Sequence, residues 1–85
     1  MGRASRWKVA RLPAKLRQIR EVLGLSQSEM VTALKLKEII YRSTISSYEI
    51  GDREPPLPVI LAYAKIANIS TDILIDDRLE LSKRR

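Results

Sequence analysis

An all-α domain of five short helices is what this 85-residue sequence predicts, on three observations. Its apolar residues recur at intervals of three and four and nowhere alternate over the length of a strand. Capping residues and turn formers divide the chain into short segments. It contains no cysteine and no histidine, so neither disulfides nor the usual zinc ligands can stand in for a packed core. A domain of this size buries only about 60–65 % of its unfolded surface, enough for one small core.

Leu12, Leu16, Ile19 and Leu23 fall on one helical face, Pro13 suits a first turn and Gly24 suits a stop, which predicts a first helix over 13–23. Ser26 and Glu29 have the spacing of a capping box and open a second helix that buries Met30, Val31 and Leu34. It should run at least to Lys35. The stretch from Leu36 to Tyr41 holds neither Gly nor Pro to mark a turn. From Arg42 to Glu49 the residues separate on a helical wheel: Arg42, Ser43, Ser46 and Ser47 occupy an arc of about 140°, with Ile45 and Tyr48 opposite. Gly51 ends this third helix, and Asp52–Pro56 forms a proline-bounded turn. A fourth helix begins near Pro58, places Ile60, Leu61, Ala64 and Ala67 inward and stops at Asn68. Ser70 caps a fifth helix over Thr71–Ile75. Repeats and low-complexity segments are absent.

Sixteen Lys and Arg against 10 Asp and Glu leave a net charge of +6, which suits a nucleic acid, an anionic surface or simple solubility. Its distribution is uneven. Arg3, Arg6, Lys8, Arg11, Lys15, Arg17 and Arg20 precede any acidic residue, and residues 83–85 are all basic, so residues 21–82 hold a net −4. The organisation expected is a basic arm over 1–11, a domain over 12–76 and a charged tail over 77–85. Extended, the arm reaches roughly 36 Å. Attraction to a polyanion would then come chiefly from the first helix and the two ends. The longest apolar run, Val59–Ala64, is far below the ~20 residues that span a bilayer, and no apolar signal segment follows the basic start, so a cytoplasmic, membrane-free protein is expected. No cofactor or metal ligand set is apparent, and no carboxylate pair or activated nucleophile suggests an enzyme.

Leu16-Arg17-Gln18-Ile19-Arg20, Leu23-Gly24-Leu25-Ser26-Gln27-Ser28-Glu29-Met30, Thr44-Ile45-Ser46-Ser47-Tyr48-Glu49 and Gly51-Asp52-Arg53-Glu54-Pro55, continuing through Ala64-Lys65 and Asn68-Ile69-Ser70 to Leu74, together resemble the lambda-repressor-like, Cro/repressor-type helix-turn-helix family. The resemblance implies a compact five-helix DNA-binding domain whose helices 2 and 3 form the helix-turn-helix. The third helix, about 42–50, would lie in the major groove of double-stranded DNA. Arg42, Ser43, Ser46 and Ser47 then stand at base-contact positions. Gln27, Thr44, Arg53, Arg17 and Lys15 stand as phosphate contacts, and Arg20 with Glu49 as a structural ion pair. Arg42 is the sharpest reader, since a guanidinium can donate bidentately to guanine O6 and N7, while serines discriminate weakly. The function implied is a sequence-specific transcriptional regulator, a repressor acting as a homodimer on an inverted-repeat operator. The alternative is a protein-interaction module or antitoxin-type partner on the same fold.

The chain departs from the family pattern in four respects. Gln27 and Thr44 are seventeen residues apart where thirteen is usual, the turn glycine is replaced by Lys35, Val31 stands where alanine is preferred at the crossing of helices 2 and 3, and Asp52 stands where a basic residue is common. Four extra residues approximate one helical turn, so helix 2 is expected to continue through about Glu38, the alternative being a connection that bulges outward. Ile39, Ile40 and Tyr41 would then pack on the domain or face a partner.

Overall fold

The computed structural model describes residues 8–81, which contain α1 (Leu12–Leu23), α2 (Gln27–Ala33), α3 (Arg42–Ile50), α4 (Leu57–Ala67) and α5 (Thr71–Ile75), with no strand among the described residues. Leu12, Leu16 and Ile19 of α1 meet Met30 and Val31 of α2, Ile45 and Tyr48 of α3, Val59, Ile60, Tyr63 and Ala64 of α4 and Leu74 of α5 in one core. Leu61, expected inward, is instead 46 % exposed. The stripe that α4 buries is Val59, Ile60, Tyr63 and Ala64, and Leu61 lies one residue off it.

Backbone closure at the helix ends explains where each helix stops. Gly24 N–H donates to the Glu21 carbonyl and Leu25 N–H to the Arg20 carbonyl, the paired bonds of a Schellman motif, with Gly24 left-handed. The same pair recurs at the end of α4, with Asn68 left-handed and Ile69 half-buried against the core. It recurs again after α2: Lys35 N–H donates to Thr32 and Leu36 N–H to Val31, with Lys35 at φ 64°.

This third motif overturns the lengthened helix 2. The helix ends at Ala33, and the additional residues form the bulging connection instead. Had it continued, the row of Met30, Val31 and Leu34 would have carried Lys37 and Glu38 onto the buried face. Stopping at Lys35 lets Leu36 pack against the core and Ile40 enter it. The N–H groups of Ile39 and Ile40 both donate to the Leu36 carbonyl, at 2.8 and 2.9 Å, and close the added residues into a single turn.

The two ends of the described chain dock on each other. Asp77 accepts from the backbone N–H of Ala10 and of Arg11, both at 2.9 Å, and Arg11 Nη1 donates to the Asp77 carbonyl at 2.8 Å. Val9 and Leu81 pack on the core. The folded unit therefore extends beyond 12–76 at both ends, and residues 9–11 are not part of a free arm. Residues 1–7 and 82–85, which hold Arg3, Arg6 and the three terminal cations, lie outside the described residues.

Lysine in the left-handed region costs roughly 1–2 kcal/mol, partly offset by the greater chain entropy that glycine would lose on folding. Lys35→Gly should therefore raise the unfolding free energy by about 0.5–1 kcal/mol in a urea titration. A loss of stability would mean that the Lys35 side chain is held by the fold.

The two backbone N–H bonds hold the Asp77 carboxyl below its ordinary pKa of 3.8. The clamp is thus complete above about pH 4 and is lost as pH falls through the lowered folded value. The amide resonances of Ala10 and Arg11 should shift together with a midpoint below 3.8, and Asp77→Asn should abolish that step. Neighbouring Asp76, bonded through both carboxylate oxygens to Arg78, titrates separately at about 2.

Candidate nucleic-acid interface

A short helix packed by Ile45 and Tyr48 alone could roll about its axis, because apolar contact is not directional. Hydrogen bonds to one buried carboxylate remove that freedom. Arg20 Nε donates to Glu49 Oε2 at 2.7 Å and Nη2 to Oε1 at 3.0 Å, while Nη1 holds the Leu25 carbonyl at 2.9 Å. Gln27 Nε2 donates to Glu49 Oε1 at 3.2 Å. Side chains from α1 and from the first residue of α2 thus converge on α3, and the same guanidinium holds the backbone of the α1–α2 turn. The Glu49 side chain is only 4 % exposed and that of Arg20 15 %. The bonds to Glu49 raise the Arg20 pKa above its already high ordinary value. Nearby, the Tyr63 hydroxyl is buried without a hydrogen-bond partner among the described residues, and its burial, reinforced by Glu49, pushes the phenol well above its ordinary pKa.

With Glu49 fixed, α3 turns Arg42 and Ser43 fully outward, with Ser46 and Ser47 half-exposed beside them. Ile50, 69 % exposed, completes that outward row at its C-terminal end, although sequence reading had not singled it out. The 3.6-residue period from Ser43 through Ser46 and Ser47 was the signal that could have found it. Gln27 is half-buried, and its second amide hydrogen remains available to an acceptor beyond Glu49. Arg17 and Arg53 line one groove of about 470 Å³ between the start of α1 and the end of α3, together with Ile50.

Two phosphate candidates are removed. Lys15 is 3 % exposed, and its Nζ donates to the Ile73 and Asp76 carbonyls at 2.7 and 3.2 Å, where it satisfies the C-terminal end of α5. Burial, with Arg11 nearby, lowers its pKa. Its place between Leu12 and Ile19 at spacings of three and four already aligned it with the apolar face. Thr44 is buried, and its Oγ1 accepts from the Tyr41 backbone N–H at 3.2 Å at the start of α3.

The basic block also changes meaning. Arg20 is paired with Glu49, Arg17 with Glu21, and Arg11 with Asp77 and Glu80. Lys15 is buried. Lys35, Lys37, Arg42 and Arg53, by contrast, make no ion pair with any described residue. Of the exposed cations that make no ion pair among the described residues, these four lie on the α2–α3 connection, the start of α3 and the loop after it, and the other two are Lys8 before α1 and Lys65 on α4.

The fold, the capped start of α2 and the outward face of a clamped α3 define a helix-turn-helix DNA-binding domain. Residues 16–74 match the family model described as Helix-turn-helix, and the chain belongs to this Cro/repressor-type, lambda-repressor-like family of DNA-binding regulators, which is not a catalytic one. No curated protein and no solved structure matched the chain. No helix among the described residues is long and apolar enough to cross a membrane.

Removing one member of a largely buried pair leaves a desolvated charge. Glu49→Ala should cost roughly 2–3 kcal/mol in denaturant unfolding, below the range for fully buried pairs because Arg20 retains some solvent contact. Replacing both Arg20 and Glu49 with Met should recover most of the stability. It should not restore the orientation of α3, which the pattern of amide shifts along 42–50 reads directly. Native-like shifts in the double variant would show that packing alone sets α3.

Proposed function

We propose that this protein is a sequence-specific transcriptional repressor that binds double-stranded DNA with α3 in the major groove. The observation that carries this reading is the outward row of Arg42, Ser43, Ser46 and Ser47 on a helix held by the Arg20–Glu49–Gln27 bonds. Arg42 donates to a guanine edge and the serines make short contacts to neighbouring bases. Gln27 uses its remaining N–H on a phosphate, and Arg53 and Arg17 hold the backbone from the groove they share. These contacts suit two copies on an inverted repeat with half-sites about one turn, roughly 34 Å, apart. Repression then follows from occlusion of the promoter. Arg3 and Arg6 of the N-terminal segment add attraction that does not depend on sequence.

Binding to duplex pools at a series of salt concentrations tests the reading. A regulator of this kind gives a log–log salt slope of several units and enriches one class of sequence. Arg42→Glu should lower affinity for the enriched duplex at least about tenfold with the helical circular dichroism unchanged. Analytical ultracentrifugation should show two chains per palindromic duplex. A salt-independent, unselective response would instead favour the protein-interaction reading.

A further inference from the structure

The α2–α3 connection carries chemistry that the helix-turn-helix alone does not use. Residues 21–82 are net acidic, yet residues 35–42 hold Lys35, Lys37 and Arg42 against the single acid Glu38. None of the three cations pairs with a described residue. The apolar residues of this stretch divide by role. Leu36 packs on the core and Ile40 is buried, anchoring the turn, whereas Ile39 and Tyr41 are 71 % and 73 % exposed. Tyr41 stands immediately before Arg42 and Ile39 three residues before it, leading into the N-terminal end of α3, the end that reads base edges in this class of domain. Three serines supply little discrimination there.

We infer that the enlarged turn is a second DNA-reading element, in which Lys35 and Lys37 engage phosphates and Ile39 and Tyr41 lie against thymine C5-methyl groups at the edge of the major groove. The inference rests on the DNA-binding reading above and extends it to residues outside α3. Two features favour DNA over a protein as the occupant: the positive charge of the turn in an otherwise acidic module, and its continuity with the outward face of α3. The turn is also closed by its own bonds from Ile39 and Ile40 to Leu36, so the exposed side chains are presented on a fixed backbone. Little ordering remains to be done on binding.

The test uses the full chain, a duplex selected from a random pool by that chain, and two variants whose altered side chains are exposed. Lys35→Gly with Lys37→Gln should weaken binding to selected and random duplexes alike and reduce the log–log salt slope by about two. Ile39→Ser with Tyr41→Ser should lower affinity for the selected duplex about tenfold and leave random duplex unaffected. Replacing thymine by deoxyuridine in the selected duplex should weaken the native chain but not the Ser variant. Unchanged circular dichroism confirms that both variants fold. If both bind like the native chain while Arg42→Glu does not, the turn is not a DNA element although the DNA reading stands. If they bind DNA normally but lose self-association in the ultracentrifuge, the turn is a protein surface and the inference is wrong. If the native chain selects no sequence, the DNA reading fails and this inference fails with it.

Discussion

The carboxylate of Glu49 is the point on which the outward surface depends. Three side-chain hydrogen bonds reach it, two from α1 through Arg20 and one from α2 through Gln27. Desolvation of such a pair offsets much of its Coulombic attraction, so its main effect here is directional rather than stabilising. Ile45 and Tyr48 keep α3 on the domain, and Glu49 sets the rotation at which it sits. That rotation in turn decides which residues face outward. The same guanidinium holds the Leu25 carbonyl, and the Arg20 carbonyl receives the Leu25 N–H, so the clamp also fixes the turn that starts α2. Position of the first turn of α2 and orientation of α3 are thus a single mechanical property.

Charge in this protein is sorted by partner rather than by count. Of the cations of α1, Lys15 and Arg20 are occupied by the C-terminal segment and by Glu49 and hold the molecule together, whereas Arg17 meets only Glu21 on its own helix and stays largely exposed. The cations without an ion pair among the described residues include Lys35 and Lys37 on the α2–α3 connection, Arg42 at the start of α3 and Arg53 in the loop after it, with Lys8 and Lys65 elsewhere. A net charge of +6 therefore overstates the field along α1 and understates its concentration beside α3. For a small module that must read a polyanion, this arrangement keeps positive potential next to the residues that would discriminate between bases.

The sequence by itself determined the five helices, the family and the outward face of α3. Each follows from local rules: periodicity of Leu12, Leu16 and Ile19, the Ser26–Glu29 box, Gly24 and Gly51 as left-handed stops, and the wheel of residues 42–49. What it left open were properties that depend on residues far apart along the chain. The α2–α3 connection looked continuous because no Gly or Pro interrupts it, yet the core would not accept Lys37 and Glu38, so Lys35 takes the strained left-handed conformation. Lys15 read as a surface cation until α5 brought the Ile73 and Asp76 carbonyls to its ammonium. Residues 9–11 read as an arm until Asp77, 66 residues from Arg11, supplied acceptors for two backbone N–H groups. Local sequence sets helix formation because its hydrogen bonds close within four residues. Whether a charge binds a ligand or its own chain depends on which long-range partner reaches it first, and only the tertiary structure decides that.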